Sequence, residues 1–163
     1  MSRRAIDIFR QEVQTVKDVR GLVPFLIVYP IPTNAVKAMK ERGGNALGID
    51  EDSPLISKIS QMPVAIRSNC FSVTMLSLIW SDASDDAKMS AFSNKVIQEI
   101  KSVAVSENAD HPYIYINYAK YDQDPFTSYE EQNRKRLTEI QSSVDPHGIF
   151  TSRGLWRGFF KLQ

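Results

Sequence analysis

The sequence predicts an α+β fold in which helices pack on one face of a small sheet. Two observations lead to this prediction. Stretches with helical periodicity alternate along the chain with short apolar stretches typical of strands, and 163 residues are enough for one hydrophobic core. No repeat or linker-like tract interrupts them. We therefore expect one domain over residues 1–163, and this pattern alone leaves the strands parallel or antiparallel.

The first helix and strand are marked by their apolar spacing. Ile6, Phe9, Val13 and Val16 follow the spacing of one buried helical stripe, and Gly21 ends the helix. The apolar run 22–29 is rich in β-branched and aromatic residues, so it predicts a strand. Prolines flank Ile31 on both sides, and we expect them to end the strand and turn the chain.

A second helix and a second strand follow. Thr33 or Asn34 begins a short helix that ends at Gly43 and Gly44. Residues 45–69 are predicted to be mostly loop, with a further strand left open near residues 64–66. Residues 71–80 predict a strand with two distinct faces. Val73, Met75, Ser77 and Ile79 share one face, and Thr74, Leu76, Leu78 and Trp80 share the other.

The second half of the chain predicts two more helices around a strand. A long helix is capped by Asp82 or Ser84 and extends to about residue 106. A strand is predicted over residues 111–118. The last helix covers residues 128–143, with a Ser128/Glu131 capping box and an inward stripe of Leu137, Ile140 and Val144. Residues 145–148 predict a turn.

The predicted strand over residues 111–118 holds the side chains of greatest chemical interest. Alternation places Tyr113, Tyr115 and Asn117 on one side, which suits a partner surface or an amphipathic ligand. The first strand offers a similar face of Phe25, Ile27 and Tyr29. If both faces look the same way, they form an aromatic sheet floor. Such a floor either lines a ligand pocket or is covered by the tail or another subunit.

Other candidate sites are weaker. His111 and His147 each lie beside a proline, and the spacing of histidine and cysteine fits no zinc site. The glycine-rich loop 42–48 follows a helix and lacks the order of a phosphate-binding motif. The acidic run 50–52 predicts a solvated surface. The sequence therefore predicts no metal site and no cofactor site of its own.

Overall charge and cysteine content narrow the classes of partner and the location. The 20 basic and 19 acidic residues give a formal net charge of +1, so no attraction to nucleic acid or to an anionic membrane is predicted. Cys70 is the single cysteine of the sequence, which excludes an intramolecular disulfide and favours a reducing compartment. The first residues lack the apolar core of a signal peptide. We expect a cytoplasmic protein.

Six stretches of the chain form an ordered series: GGNALGI (43–49), WSDASDD (80–86), YINYA (115–119), QDPFTSYEEQNRKRL (123–137), VDPHGIF (144–150) and GFFKL (158–162). In this order they resemble the C-terminal portion of fungal berberine bridge enzyme-like, FAD-linked oxidoreductases. The segment from about 111 to 163 resembles the terminal berberine-type module of that family. The resemblance implies a mainly antiparallel sheet flanked by helices, and it places Asn117, with Tyr115 and Tyr113, on the side that faces flavin and substrate in relatives.

The same resemblance implies two departures from the family. The N-terminal FAD-binding domain of such enzymes has no counterpart among these 163 residues. Relatives tend to carry a glutamine where Tyr29 stands, and an additional segment separates Leu55 from Phe71. Both changes argue against an unaltered redox role.

Two hypotheses about function follow. The first is a cofactor-independent enzyme of fungal secondary metabolism that cyclises, dehydrates or isomerises a polyketide or terpenoid-type intermediate, as a homodimer formed through the exposed sheet face. It binds a small hydrophobic or aromatic molecule and neither nucleic acid nor membrane. The alternative is part of an FAD-dependent oxidoreductase that needs a flavin domain in trans, or a non-catalytic binding protein. The first hypothesis assigns catalysis to Tyr29, Tyr113, Tyr115, Asn117 and His111, and substrate binding to Phe25, Ile27, Met75 and Trp80.

Overall fold

The structure, a computed structural model, describes residues 2–49, 70–150 and 162. Its helices and strands are α1 (Ser2–Val13), β1 (Val23–Pro32), α2 (Thr33–Glu41), β2 (Cys70–Ile79), α3 (Asp86–Ser106) and α4 (Glu131–Val144), with short 3₁₀ turns between several of them. The predicted α+β class with a small antiparallel sheet is confirmed. The chain forms two compact units, one from Met1–Thr33 and Pro54–His111 and one from Asn34–Ser53 and Pro112–Gln163. One domain over residues 1–163 stays a prediction.

The core of the first unit lies between α1 and α3. Its buried members come from both helices and from the turn after α1, at the helical spacing predicted for α3. They are Ala5, Val16, Val19, Met89, Phe92, Val96 and Ile100. Burying this stripe supplies the main apolar contribution to the stability of the unit.

The sheet consists, in the described part of the chain, of β1 and β2 paired antiparallel. Gly21 at φ +70° leads into β1, and a Cβ there would clash with the Ser81 side chain, so both the backbone conformation and the space favour glycine in this turn. The prediction that the prolines after Tyr29 end the strand is wrong, because Pro30 and Pro32 pair with Ser72 and Cys70. Pro24, Pro30 and Pro32 are separated by even numbers of positions along β1, so all three ring nitrogens point to the edge away from β2. The hydrogen bonds between β1 and β2 can therefore continue past them.

The two faces of the sheet differ in burial, as the alternation predicts. Leu26, Leu76 and Leu78 pack against the helical core. The opposite face, here called the outer face, consists of Val23, Phe25, Ile27, Tyr29, Val73, Met75, Ser77 and Ile79. Val23, Phe25, Tyr29 and Ile79 are exposed. Helices therefore pack on one face of the sheet, and the other is an apolar surface.

The second unit is built from α2, α4 and the irregular segments that follow α2 and precede α4. Val36 of α2 and Ile49 are buried. Gly44 N donates to Met39 O at 2.9 Å, which closes α2 at the predicted glycines. The predicted turn at 145–148 is confirmed: Gly148 N donates to Asp145 O, and the Asp145 carboxylate accepts from the N–H groups of Ile149 and Phe150 at 2.7 and 3.0 Å.

The predicted strand over residues 111–118 is wrong. Residues 111–115 are irregular and Ile116–Tyr118 form a 3₁₀ turn. Period-two alternation suits a strand only when a neighbouring strand accepts its backbone. Here Ser128 Oγ instead accepts from Ile114 N at 2.9 Å, and Tyr113 stacks on Tyr129. The possible strand near residues 64–66 lies outside the described residues.

The predicted capping box and inward stripe of the last helix are also wrong. Ser128 lies in a 3₁₀ turn, Phe126–Tyr129, that precedes α4, and its hydroxyl is used by Ile114 and Pro125. Glu130 occupies the N-cap position of α4 with φ +62°. Ile140 and Val144 are 48% and 73% exposed. Among the described helices, none has both the length and the apolarity to cross a membrane.

Candidate functional site

Four of the sequence-predicted site residues meet on the outer face of the sheet. Phe25, Ile27 and Tyr29 lie on alternate positions of β1, and Met75 of β2 is the register partner of Ile27. Phe25 and Tyr29 are 47% and 41% exposed, whereas Ile27 and Met75 are half-buried. The result is an apolar surface that carries the phenol of Tyr29. Such a surface can hold a planar apolar group or another polypeptide.

Trp80 belongs to a different environment. It packs against the helical core on the inner side, and its indole N–H donates to Asp86 Oδ1 at 2.8 Å. Asp86 is the first residue of α3, so this bond links the end of β2 to the start of that helix. The side chain therefore organises the fold of the first unit and does not line the outer face.

The second unit gathers an aromatic group that we call the tyrosine cluster: Tyr113, Tyr115, Tyr118, Phe126 and Tyr129. The rings of Tyr113 and Tyr129 stack with centroids 5.8 Å apart. Tyr115 meets Tyr118 edge to face at 5.1 Å, and Phe126 meets Tyr129 edge to face at 5.8 Å. Tyr129 is buried, at 3% exposure. These contacts fix the ring positions with the geometries that aromatic pairs prefer.

Asn117 orients one hydroxyl of the tyrosine cluster. Its side-chain amide donates to Tyr115 Oη at 2.8 Å, while Asn117 itself is exposed. A phenol that accepts such a bond still has its O–H available as a donor. The prediction that Tyr113, Tyr115 and Asn117 share one side of a strand is therefore wrong, because residues 111–118 form no strand. A 3₁₀ turn joins Asn117 to Tyr115, and ring packing joins Tyr113 to Tyr129.

Burial keeps Tyr113 and Tyr129 of the tyrosine cluster protonated. Desolvation, assisted by the neighbouring Tyr129 and Tyr115 hydroxyls, raises the pKa of Tyr113 to about 12. Desolvation also raises the pKa of Tyr129. Both phenols are neutral at physiological pH. A neutral, partly desolvated phenol is a hydrogen-bond donor suited to a carbonyl or quinone oxygen.

His111 closes the first unit and is half-buried. Its nearest sequence neighbours are Asp110 and Pro112, and Tyr113 of the second unit follows two residues later. The described residues bring no group of three histidine, cysteine, aspartate or glutamate side chains together at metal-binding distance. The role of His111 as an acid or base stays a prediction.

Three residues of this region were missed by sequence reasoning as site-forming positions. Phe126 and Tyr129 complete the tyrosine cluster, and Ser128 anchors the segment that carries Tyr113. Ser128 had been assigned to a capping box. The signal lay in the aromatic residues on both sides of Thr127-Ser128, which a capping motif does not require.

The glycine-rich loop does not fit the pyrophosphate of a dinucleotide. Anion cradles need backbone N–H groups that point outward. Here Gly43 N donates to Lys40 O at 3.1 Å and Gly44 N to Met39 O at 2.9 Å, so both are used to close α2. The Asn45 carboxamide oxygen accepts from Leu47 N and its amide donates to Ile49 O. The loop is a self-contained turn.

Comparisons with known proteins find four FAD-dependent monooxygenases and one oligopeptidase. The chain is 31% identical over 154 residues to the FAD-dependent monooxygenase tpcD of Cochliobolus heterostrophus. The aligned region covers 90% of this chain and 26% of that protein. It is 31% identical over 132 residues to the FAD-dependent monooxygenase FUP4 of Fusarium proliferatum, covering 80% and 22%. It is also 32% identical over 138 residues to the oligopeptidase PhomG' of Diaporthe leptostromiformis, covering 83% and 10%.

These matches are broad on this chain and narrow on the relatives. The chain spans about a quarter of the length of the FAD-dependent monooxygenases and a tenth of the oligopeptidase. Two further FAD-dependent monooxygenases, at 23% and 27% identity, also match over 26% of their lengths. No family model matches, and no solved structure matches. The chain thus resembles one portion of fungal FAD-dependent monooxygenases.

Proposed function

We propose that this chain serves as the substrate-side part of an FAD-dependent oxidoreductase of fungal secondary metabolism, acting with a flavin-binding unit that these residues do not form. The observation that carries the proposal is the similarity itself. Four FAD-dependent monooxygenases match 80–90% of this chain, each over about a quarter of its own length. The berberine-type subdivision, suggested by the motif series, is the finer form of this proposal.

The chain's own residues have two tasks in this proposal. The outer face around Phe25 and Met75 excludes water from a planar apolar partner. The tyrosine cluster supplies hydroxyl donors at Tyr113 and Tyr115 that hold a substrate oxygen and polarise it. A bound flavin would accept a hydride or an electron pair from the substrate. The named residues orient the substrate and leave the redox step to that unit.

The test is complementation by a flavin-bearing fragment. We would titrate FAD into this chain, into the remaining portion of the Cochliobolus heterostrophus monooxygenase, and into a mixture of both, and follow flavin fluorescence and absorption. A spectral change that requires the mixture supports the proposal. If the mixture behaves as the sum of its parts, while gel filtration shows both folded and separate, the proposal fails.

A matched pair of variants tests whether the outer face makes the contact. Phe25→Asp places a charge on that face, whereas Val105→Asp places one at a similarly exposed position of α3, 58% exposed. We expect Phe25→Asp to weaken assembly at least about tenfold, since desolvating an unpaired carboxylate costs more than one hydrogen bond. Val105→Asp should assemble as the unmodified chain does. Equal effects of the two variants would contradict a role for the outer face.

A second candidate is the cofactor-independent enzyme that the sequence suggested, and one observation favours it. The raised pKa of Tyr113 and the Asn117–Tyr115 bond give a preset pair of phenol donors. Such donors can polarise a carbonyl during cyclisation, dehydration or isomerisation without a redox partner. The roles of His111 as an acid or base and of Tyr29 as a donor stay predictions from the sequence.

A fluorescent naphthyl ketone, whose emission shifts when its carbonyl accepts a hydrogen bond, can report on these donors. Tyr113→Phe should remove the shift. Tyr121→Phe is the control, because Tyr121 is 67% exposed and outside the tyrosine cluster. A shift that survives in Tyr113→Phe, or binding absent from the unmodified chain, would remove the support for this candidate.

Location and assembly complete the proposal. The single cysteine supports a reducing, cytoplasmic location. The exposed Val23, Phe25, Tyr29 and Ile79 support association through the outer face, either with a second copy or with the flavin-binding unit. A tight homodimer through that face would hide it from a flavin-binding unit, so these two modes of association exclude each other.

A further inference from the structure

The two long edges of the sheet differ in what they offer to a further strand. A proline has no N–H and cannot donate to a neighbouring strand. Pro24, Pro30 and Pro32 have the same parity, and each faces a β2 residue in register. Pairs that contain them are the non-hydrogen-bonded pairs of the ladder, so the proline nitrogens point to the outer edge of β1. That edge is blocked against strand addition.

The edge of β2 that faces away from β1 is, by contrast, not blocked by proline. By the same register, the backbone groups of Ser72, Thr74, Leu76 and Leu78 point away from β1. In the described part of the chain, these four residues make no backbone hydrogen bond beyond the β1–β2 pairing. The stretch 72–79 contains no proline, glycine or charged residue. Proteins commonly protect an edge strand with such residues, and β2 has none of them.

We propose that β2 pairs antiparallel with β2 of a second copy of this chain, forming one four-stranded sheet in the order β1–β2–β2–β1. A sheet of two strands is marginal, and four strands are self-supporting. Because β1 blocks each outer edge, the assembly closes at two copies and cannot extend into a fibre. The absence of charge on β2 means that self-pairing opposes no like charges.

The alternation of faces restricts the register of this pairing. A two-fold axis perpendicular to the sheet keeps both outer faces on the same side, so Thr74 lies opposite one of the alternate residues Ser72, Thr74, Leu76 or Leu78 of the second copy and never opposite a residue between them. The N–H and C=O groups that point away from β1 in one copy then meet those of the other. This arrangement uses the edge and leaves the outer face open, so it is independent of the proposed flavin-binding partner and compatible with it.

Two matched proline variants test the proposal. Val28 and Thr74 are register partners, and both are half-buried. Proline at either position removes an N–H that points away from the other strand. Thr74→Pro blocks the β2 edge, whereas Val28→Pro adds a fourth proline to an edge that is already blocked. We expect Thr74→Pro to weaken the dimer about tenfold or more, because each copy loses a ladder hydrogen bond.

Sedimentation at micromolar concentration gives the readout, with circular dichroism to verify folding. The proposal expects twice the 18.5 kDa chain mass for the unmodified chain and for Val28→Pro, and the single mass for Thr74→Pro. An 18.5 kDa species for the unmodified chain, or equal behaviour of the two variants, overturns it. Should Thr74→Pro fail to fold, amide exchange of the unmodified chain decides. Protection at Thr74 and Leu76 that falls on dilution supports the pairing, and rapid exchange at every concentration overturns it.

Discussion

Glu130 and Asn108 are the non-glycine residues with positive φ in the described part of the chain, at +62° and +51°. The two residues differ in the energetic cost of their backbone conformation. Asn108 follows α3 and lies in the left-handed region, which asparagine tolerates well. Glu130 combines its φ with ψ 146°, a region that is favourable essentially for glycine alone. It lies between the buried Tyr129 and the first residue of α4, so local strain is stored beside the tyrosine cluster.

Replacing Glu130 by glycine should stabilise the protein. We expect Glu130→Gly to raise the free energy of unfolding by about 1 kcal/mol, because relief of backbone strain outweighs the added freedom of the unfolded chain. Asn108→Gly is the control and should change it by no more than a few tenths of a kcal/mol. Urea denaturation of both variants measures the difference. A loss of stability in Glu130→Gly would indicate that the Glu130 side chain makes a contact worth more than the strain.

For individual residues, the sequence predicted which face of a strand a side chain occupies better than which other residues it contacts. Alternation correctly placed Phe25, Ile27 and Tyr29 on one face, because β1 has a paired neighbour that enforces the period of two. It also placed Tyr113 and Tyr115 on one side of a strand that does not form. The position of Tyr113 depends on Tyr129 and Ser128, which are distant along the chain, and local periodicity contains no information about such contacts.

Between elements, the packing of α1 against α3 includes one buried charge. Glu12 of α1 is 5% exposed, and its Oε2 lies 2.7 Å from Nζ of Lys95 on α3. Lys95 is about half exposed and also approaches Glu99 at 3.7 Å. The hydrogen bond to Glu12 raises the pKa of Lys95. A carboxylate at this depth depends on its cation, because water reaches it poorly.

Two lysines of α3 allow this dependence to be measured. Lys95→Ala should lower the unfolding temperature clearly, because the buried Glu12 carboxylate loses its counter-charge. Lys88→Ala should lower it less, since Lys88 pairs at 2.8 Å with Asp18, whose side chain is 71% exposed and remains hydrated. Calorimetry of the two variants under the same conditions gives the comparison. Equal decreases in unfolding temperature would show that the Glu12 carboxylate is hydrated well enough without Lys95.

The order of helices and strands could be predicted where one element carries its own signal. The stripe of α3 and the glycines after α2 gave nearly correct bounds. The end of β1 was missed because proline was treated as a strand terminator, although at a free edge its missing N–H has no cost. The apolar residues of α4 were expected inward, yet Ile140 and Val144 are exposed, since a helical stripe does not specify what will cover it.

The whole molecule combines groups whose pKa values depart in opposite directions. The hydrogen bond from Lys88 lowers the pKa of Asp18, and the bond from the Ser84 N–H lowers that of Asp82. At the other extreme, Glu12 raises the pKa of Lys95 and burial raises that of Tyr113 to about 12. The two carboxylates favour the folded state when ionised. Lys95 and Tyr113 favour it when protonated.

These shifts predict a plateau of stability with two limbs. The contribution of Asp18 and Asp82 is present above their ordinary pKa of 3.8 and is lost as the pH falls through the lowered folded values. The contribution of Tyr113 is present below its ordinary pKa of 10.0 and is lost as the pH rises toward about 12, with Lys95 adding to the same alkaline limb. Urea midpoints measured across this range should be nearly constant between about pH 5 and pH 9.

Tyr113→Phe should flatten the alkaline limb and leave the acid limb unchanged, and Lys88→Ala should flatten the acid limb only. A single maximum at the isoelectric point near 7.8, unaffected by either variant, would show that net charge rather than these individual groups governs the stability of the protein.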